Sequence, residues 1–493
     1  MRLLPKLVTI LTAVLTVALT ACDDSGGGRA SPDMGNVPGE GGQPGMGGVP
    51  GEGGQPGMGG EPGMGGEPGA GGEPGAGGEP GEGGEPGVGG EPGVGGEPGE
   101  VIGSDKARDL DPQVPDDDLA ALTAGESAFT VDLHRVLGQA DGNLFYSPFS
   151  IHQALAMTWA GARGETERQM AAALHFDLDQ ARLHPAQNAL DLALASRADT
   201  PVESGEPLQL TIANAVWGRT GYQWLPDFLD VLAVQYGAAL RVWDFIGDAE
   251  GARVAINTWV EGHTHQRIVD LIPEGAIDAS TVMVLVNAIF FKASWAQPFE
   301  VEATAAADFH LSDGSTVQVP TMHGPGVPAR HAAGPGWTAI DLPYAGYETS
   351  MLIVLPDDLA AFEGSFDSAT LDGIIDVLQG VEADLYLPKF TFESTFSLAD
   401  AMEALGMIDA FTADADFSGM NGTGGLYIQA IFHKAFVAVD EEGTEAAAAT
   451  AVLVGETSVP LIVDVRVDRP FLFFVRDLPT GAILFAGRMA DPR

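Results

Sequence analysis

Apolar residues in the last three quarters of the chain follow two spacings, one typical of helices and one of strands. The helical spacing predicts helices over 120–137, near 250–262 and over 397–405, and within the segment LPDFLDVLAVQYGA. Capping-box patterns at Ser150–Gln153 and Thr166–Gln169 predict the starts of two more helices. The chain therefore has enough helix for a layer that covers a sheet.

The strand spacing is equally frequent. Alternating apolar residues predict strands at 207–218, 338–343, 350–355 and 383–393. The longer apolar run 281–295 is rich in valine and predicts a strand buried on both faces. Three short strands, LIVDVRV, FLFFVR and AILFAGRM, close the chain. Because no Gly/Pro/Ser-rich break interrupts residues 119–493, we expect one α+β domain there.

The start of the chain has the pattern of an export signal. Residues 1–21 combine Arg2 and Lys6 with an apolar run, and the motif LTAC ends at Cys22. We expect a lipoprotein signal peptide, after whose removal Cys22 carries a lipid. An ordinary secretory signal that happens to contain a cysteine is the alternative. Cys22 is the only cysteine, so no disulfide can form within one chain.

Residues 22–118 are rich in Gly, Pro and Glu. From 41 to 100 they repeat with a period of six, as in GGEPGA and GGEPGV. Glycine at every third position satisfies the rule for a collagen triple helix, but proline comes only at every sixth position. We therefore expect a disordered repeat linker that holds a domain away from a membrane.

Charge and missing motifs exclude several classes of function. The 69 acidic and 23 basic residues give a net charge of −46, which would repel nucleic acid. The chain has no nucleophile elbow, P-loop, HExxH or dinucleotide-binding motif. His263 and His265 could face one metal ion, but no second pair of ligands is near them in the sequence. We predict no enzyme, no cofactor and no metal site.

The segment VDEEGTEAAAATAV, residues 439–452, is not committed to one structure. Its alanines favour a helix, but threonine, glycine and valine interrupt them and no apolar stripe is present. A long segment of this kind close to the C-terminus requires an explanation.

Four blocks of the chain are distinctive in sequence and in order: NLFYSPFSI at 143–151, VNAIFFKASW at 286–295, HKAFVAVDEEGTEAAAATAV at 433–452 and RPFLFFVRDLPTGAILFAGRMADP at 469–492. In these blocks and in their order the chain resembles the serpins, a family of serine protease inhibitors. The resemblance implies a serpin fold, with three β-sheets, about nine helices and an exposed C-terminal reactive loop. Together with the N-terminal signal it suggests a bacterial lipoprotein form.

The resemblance also implies a suicide-substrate mechanism. A serine protease attacks the loop, and the loop inserts into the central sheet while the acyl-enzyme is still attached; serpin loop insertion is itself a standard example of strand addition. In a strand, alternate residues share one face. That face holds no charge here, so it could be buried: it comprises Thr444, Ala446, Ala448, Thr450, Val452 and Val454.

Site residues follow from the resemblance by position. The hinge comprises Glu441, Gly443, Thr444, Glu445, Ala446, Ala447, Ala448 and Ala449. The breach, where the loop first enters the sheet, comprises Trp295 and Glu441. The shutter, where the strands part, comprises Ser147, Ser150, Asn287 and His433. We expect His433 to be a buried hydrogen-bonding residue and not a catalytic base.

The family register places the scissile bond between Thr457 and Ser458. Because loop length varies among serpins, Glu456–Thr457 and Val459–Pro460 are alternatives. Thr457 suits shallow specificity pockets, so we expect elastase-like or subtilisin-like targets. A trypsin-like target is not expected, since the first arginine after the hinge is Arg466.

The expected partners are extracellular or periplasmic serine proteases and, through the lipid, a membrane. The helix around 182–197 has Arg182 and Arg197, with Asp191 between them and no lysine, so no heparin-type activator is expected. We predict a monomer anchored to the bacterial cell envelope and displayed at its surface. Two alternatives remain: a non-inhibitory serpin-fold binding protein, and a collagen-like surface adhesin with a globular head.

Overall fold

The computed structural model describes residues 99–202, 205–444 and 461–493. Ten α-helices lie in this part of the chain. They are α1 Asp116–Leu137, α2 Pro148–Trp159, α3 Gly164–Ala173, α4 Gln180–Ala195, α5 Pro226–Tyr236, α6 Ala249–His263, α7 Leu359–Ser365, α8 Ser368–Asp376, α9 Ala399–Ala404 and α10 Ser418–Asn421. Short 3-10 turns lie at Ser196–Asp199, Val301–Ala303 and Asp409–Phe411.

Sixteen strands lie in the same described residues. They are β1 Glu100–Ile102, β2 Leu144–Tyr146, β3 Gln209–Arg219, β4 Leu240–Trp243, β5 Met283–Ser294, β6 Ala305–His310, β7 Thr316–Gly334, β8 Trp337–Pro343, β9 Thr349–Pro356, β10 Gln379–Pro388, β11 Phe390–Ser397, β12 Ala430–Val439, β13 Gly443–Thr444, β14 Ile462–Arg466, β15 Phe471–Asp477 and β16 Ile483–Met489.

The central sheet has seven strands in the order β1-β4-β3-β5-β13-β12-β11. β5 and β12 are parallel and pair directly from Val284 opposite Ala430 to Ile289 opposite Ala435. Beyond that point they diverge, and the two residues of β13 lie between them. This fork is the feature of the fold that positions the candidate site.

The other strands form one continuous sheet, in the order β14-β10-β7-β8-β9-β15-β16-β2 with β6 also on β7. The resemblance implies three β-sheets in all, so two sheets were expected where the described residues form one. Here the 19-residue β7 joins them, because its first residues pair with β6, its middle with β10 and its end with β8.

Two apolar layers hold the domain together. The larger lies between the sheets, where Phe145 stacks on Phe485 at 5.0 Å and Phe485 contacts Phe291 of the central sheet at 5.7 Å. The smaller lies between α6 and the opposite face of the central sheet, and includes Ile256 and Val286. Each fully buried side chain of this size contributes about 1.5–3 kcal/mol, so the central sheet is stabilised from both faces.

Most predicted elements are present with shifted ends, and three predictions are wrong. The range 383–393 spans two strands of different sheets, β10 and β11, with Lys389 between them. Ser150 does not cap α2; the Ser147 side chain accepts the backbone N–H of Ser150 at 3.1 Å instead. Thr166 lies inside α3, where its hydroxyl accepts the backbone N–H of Asp416 at 2.9 Å.

Some ordered structure falls inside the range predicted as linker. β1 pairs antiparallel with β4, and α1 begins at Asp116. β6 and β7 were not predicted; in β7 the reason is that Pro320, Pro325 and Pro328 interrupt the strand pattern. No helix of the described residues is long and apolar enough to cross a membrane.

Glu126 of α1 is a buried carboxyl group without a hydrogen-bond partner. It is 1% exposed, and neither oxygen has a partner among the described residues. Burial, and secondarily the nearby Asp477, raise the pKa of Glu126 well above its usual value. The folded state therefore holds this group protonated where the unfolded chain would release the proton.

In the parent protein, Glu126 is expected to make the folded state less stable as pH rises. Replacing Glu126 with glutamine is expected to remove that dependence on pH. A raised folded-state pKa contributes stability below the unfolded pKa of 4.5, and this is lost as pH rises toward the folded pKa, by about 1.4 kcal/mol per pH unit. Unfolding midpoints at pH 5.5, 6.5 and 7.5 should show a difference between Glu126→Gln and the parent protein that grows with pH. The same substitution at the exposed Glu302 serves as the surface control. A difference for Glu126→Gln that stays constant with pH would contradict the prediction.

Candidate functional site

β13 occupies the mouth of the fork between β5 and β12. Gly443 is opposite Ser294, while Thr444 is opposite Ala293 on one side and Val439 on the other. The first residues of the predicted hinge thus already pair as a strand of the central sheet. Extending this strand would require the directly paired parts of β5 and β12 to separate.

Gly443 lies too close to β5 for any other residue. A Cβ atom at this position would lie 2.1 Å from the Ala293 carbonyl oxygen and 2.8 Å from the Ser294 Cα. Gly443 is a residue of the predicted hinge, and this close approach of two backbones is a reason for glycine at the position in the closed sheet.

Thr444 points into the core below the fork. Its side chain is 3% exposed, and its hydroxyl shares a 2.7 Å hydrogen bond with the hydroxyl of Tyr344. The uncharged loop face therefore begins with a buried, hydrogen-bonded residue.

Trp295, at the end of β5, forms one wall of the predicted breach. Its ring stacks on Tyr344 with centroids 4.7 Å apart and planes 4° apart. Its indole N–H donates to the Asp440 carbonyl oxygen at 3.0 Å, and its backbone N–H donates to the Glu442 carbonyl oxygen at 2.8 Å. The tryptophan holds the turn that leads into β13.

Glu441 fixes the same turn from the opposite side. Its carboxylate accepts hydrogen bonds from Lys389 Nζ and, at 2.6 Å, from Thr304 Oγ1. Burial acts to raise the pKa of Glu441, but the hydrogen bonds from Lys389 and Thr304 outweigh it and hold the pKa below its usual value. The group is therefore a carboxylate near neutral pH. It ties the turn to Lys389, which precedes β11, and to Thr304, which precedes β6.

A row of polar side chains crosses the central sheet where β5 and β12 still pair. Asn214 of β3 is opposite Asn287 of β5, and Asn287 is opposite His433 of β12. The Asn287 amide donates to Asn214 Oδ1, and its Oδ1 bonds to His433 Nδ1. Separating β5 from β12 would break this row between Asn287 and His433.

His433 is a neutral imidazole. Its Nε2 accepts the backbone N–H of Ser147 at 3.1 Å, so the proton is assigned to Nδ1, which donates to Asn287. Burial lowers the pKa of His433 to about 3, with the bond to Asn287 opposing that shift. Its environment is that of a structural hydrogen-bonding residue.

The two predicted shutter serines lie at the start of α2. Ser147 Oγ donates to the Leu484 carbonyl oxygen at 2.7 Å. Ser150 Oγ accepts the Asn287 amide at 2.6 Å and donates to Asn214 Oδ1 at 3.1 Å. The structure thus brings all four predicted shutter residues together, with α2 bonded to strands on both sides of the fork.

Sequence reasoning missed three residues of this site. Asn214 joins the shutter row, Tyr344 supports Trp295 and Thr444, and Lys389 binds Glu441. An asparagine in the middle of the alternating strand TIANAVWG was the available signal for the first. The others follow strands that belong to the second sheet, so their position depends on tertiary packing.

Several predicted positions lie outside the described residues. These are Cys22, the hinge residues Glu445, Ala446, Ala447, Ala448 and Ala449, and the bond between Thr457 and Ser458 with its two alternatives. Their roles stay predictions.

The remaining candidate groups have structural partners. Arg182 forms an ion pair with Asp118, and Arg197 with Asp477, so these two arginines of the predicted helix are engaged. His263 Nδ1 bonds to the Trp259 carbonyl oxygen at 2.7 Å, and His265 is near Thr211. No cluster of three or more metal-ligating side chains occurs in the described ranges.

Residues 124–492 match the family model Serpin (serine protease inhibitor), and the chain therefore belongs to the serpin family. The family is one of protease inhibitors and not of catalysts. Leukocyte elastase inhibitor of Sus scrofa is 38% identical over 383 residues, which cover 75% of this chain and 99% of that protein.

Solved structures give the same fold. The native state of tengpin, a thermophilic serpin, superposes with a TM-score of 0.68 at 28% identity, covering 79% of this chain and 97% of that one. The thyroxine-binding globulin complex with thyroxine gives 0.65 at 30% identity, covering 75% and 99%. The expected serpin fold is thus confirmed.

Proposed function

We propose that this protein is a suicide-substrate inhibitor of serine proteases that captures the acyl-enzyme by inserting its reactive loop into the central sheet. The observation that carries the proposal is β13, because Gly443 and Thr444 already pair between β5 and β12. If this strand lengthens during insertion, it can keep the register that Gly443 and Thr444 already have. In that register the uncharged residues of the loop sequence would share the face that begins with Thr444.

Insertion requires a defined set of bonds to exchange. The direct pairing from Val284–Ala430 to Ile289–Ala435 must open, and the Asn287–His433 bond must break. The inserted strand would supply new backbone partners to both edges, which offsets that loss. From Gly443 to Thr457 it would span roughly 45–50 Å at about 3.3 Å per residue, enough to carry a tethered protease across the domain.

The proposed targets are elastase-like or subtilisin-like serine proteases. Threonine at 457, before the proposed scissile bond, suits a shallow specificity pocket. A similar protein is named for the inhibition of leukocyte elastase, which supports the same choice. We propose no heparin-type activator, since the two arginines of α4 and its following turn are bound to carboxylates.

The test is to mix the full-length protein with elastase, subtilisin, chymotrypsin and trypsin. An SDS-stable complex with elastase or subtilisin, and a released peptide beginning at Ser458, is the expected result. A peptide that begins at Thr457 or Pro460 would move the bond to an alternative. Complete cleavage without any complex would contradict the proposed mechanism.

A non-inhibitory binding protein on the serpin fold is the second candidate. It is favoured by the 30% identity to thyroxine-binding globulin, a protein solved with thyroxine bound. This candidate predicts a loop that is cut as a simple substrate, without a gain in heat resistance after cleavage. Thermal unfolding before and after cleavage distinguishes the two functions.

We also propose that the protein is a monomeric lipoprotein of the bacterial cell envelope, displayed at the surface through Cys22 and the repeat linker. The motif LTAC, the single cysteine and the Gly/Pro/Glu repeat support this. The mass of the N-terminal peptide from the membrane fraction tests it, since a lipid on Cys22 adds a diacylglyceryl group.

A further inference from the structure

The segment before α1 packs along the edge of the central sheet and across two helices. We call residues 99–111 the N-terminal strap. Its strand β1 pairs with β4, with Glu100 opposite Val242 and Ile102 opposite Leu240. β1, β4, β3 and β5 thus form one half of the central sheet, separated from β12 and β11 by the fork.

Two side chains of the strap bind two different helices. Lys106 Nζ donates to Asp230 of α5 at 2.7 Å, and this ion pair is largely exposed. Arg108 Nε donates to Asn188 of α4 at 2.8 Å, and its Nη2 donates to Asp191 of the same helix. The strap therefore ties one half of the sheet to the helical layer.

Arg108 is also the first member of a chain of side-chain hydrogen bonds that reaches the shutter. Asp191 accepts Gln153 Nε2 of α2 at 3.0 Å, and Gln153 Oε1 accepts the Asn214 amide at 2.9 Å. Asn214 Oδ1 in turn accepts the Asn287 amide. The amides of Asn287, Asn214 and Gln153 each donate to the next member toward Asp191. Arg108 donates to the same carboxylate from the other side, so the chain has few alternative arrangements.

We propose that Arg108 is a positioning residue that restrains the central sheet in its closed state. Opening moves the β1–β4–β3–β5 half relative to α2, which is bonded to His433 on the other half through Ser147. The strap and the Arg108–Asp191–Gln153 chain resist this movement, because they link the same half of the sheet to α4 and α2. The inference rests on the proposed function only in assuming that the sheet opens to admit the loop. The restraint itself is a property of the closed sheet and can be measured without a protease.

The test compares Arg108→Met with Lys106→Met in the full-length protein. Each removes one ion pair of the strap, but only Arg108 connects to the shutter. Native-state hydrogen exchange should become about tenfold faster for backbone amides of 284–289 and 430–435 in Arg108→Met, the effect of losing charge-assisted hydrogen bonds. Amides of β15 and β16 should keep their rates, and Lys106→Met should stay within about twofold of the parent protein at all four strands.

Equal acceleration in both variants, or acceleration in β15 and β16 as well, would mean general destabilisation and would overturn the restraint. Arg108→Lys keeps the positive charge but loses the planar guanidinium group. It is measured in parallel, so that the result does not depend on a Met variant that folds poorly. It should show the same pattern of acceleration in smaller degree.

A double-mutant cycle tests the chain itself. If Arg108 acts through Asp191 and Gln153, then Arg108→Met should add less than about twofold acceleration in a Gln153→Met background. If the accelerations from Arg108→Met and Gln153→Met were fully additive, the proposed action of Arg108 through Asp191 and Gln153 would be overturned. Since no protease is used, failure of protease capture alone would remove the proposed function and leave this result unchanged.

Discussion

Replacing Thr444 with arginine is expected to turn the inhibitor into a substrate. Thr444 is 3% exposed and is hydrogen-bonded to Tyr344 below the fork. In the native state the two-residue β13 can leave the fork and carry an arginine into solvent, whereas the inserted strand holds position 444 in the core. The unpaired charge therefore costs several kcal/mol more in the inserted state than in the native state. Insertion would then be slower than hydrolysis of the acyl-enzyme, so we expect the fraction of SDS-stable complex to fall by about tenfold or more, with cleaved protein in its place.

Thr444→Ser is the matched control, because it keeps the hydroxyl that meets Tyr344 and adds no charge. Both variants are mixed with the protease that gives a complex with the parent protein, and complex and cleaved protein are quantified on the same gel. Unchanged partitioning in Thr444→Arg would show that insertion of the loop does not require a buried, uncharged residue at position 444.

Acid is expected to destabilise the native state well above the range in which carboxylates titrate. Burial lowers the pKa of His152 to about 4 and that of His184 and His433 to about 3. A lowered folded-state pKa means that the unfolded chain binds the proton first, so the stability present above pH 6.5 is lost as pH falls toward 4. Glu126 acts in the opposite direction above pH 4.5 and offsets about one of the three protons.

For these four groups the net uptake of about two protons on unfolding corresponds to about 3 kcal/mol per pH unit between pH 6.5 and 4.5. For a domain of this size, that lowers the thermal midpoint by roughly 4 °C per pH unit. Thermal unfolding at pH 7.5, 6.0 and 5.0 measures the slope.

His184→Phe is the informative variant for this prediction. His184 packs against Trp159 and bonds to the Tyr236 hydroxyl, while its Nε2 has no partner in the described part of the chain. The substitution changes stability at every pH. It should also lower the number of protons taken up on unfolding by about one, which reduces the dependence of stability on pH by about 1.4 kcal/mol per pH unit. A slope that is unchanged in this variant would contradict the assignment of a neutral imidazole at this position.

Much of the fold could be predicted from the sequence, because the apolar patterns that define most of its helices and strands are local. The long apolar run became β5, and the alternating segment TIANAVWG became most of β3. The strand pattern failed where prolines interrupt β7 and where β10 and β11 follow each other with one residue between them. In these places the pairing partner, and not the local pattern, defines the strand.

The candidate site was readable only in part. Ser147, Ser150, Asn287 and His433 were found by family position, but Asn214 and Gln153 were not assigned to the shutter. Gln153 was interpreted as a helix cap, whereas its side chain bridges Asn214 and Asp191. Side chains from distant segments meet in such a chain, and the spacing within one segment does not predict it.

The α+β class, the serpin membership and the uncharged face of the loop depend on residue type and local order, so the sequence alone was enough to infer them. The folded molecule was needed to show that β13 is already paired between β5 and β12, and that the approach of two backbones requires glycine at position 443. It alone decided that Arg108, in a range predicted as linker, connects to the shutter. Hydrogen bonds between segments far apart in sequence require both partners to be positioned by the fold, and no local pattern encodes that position.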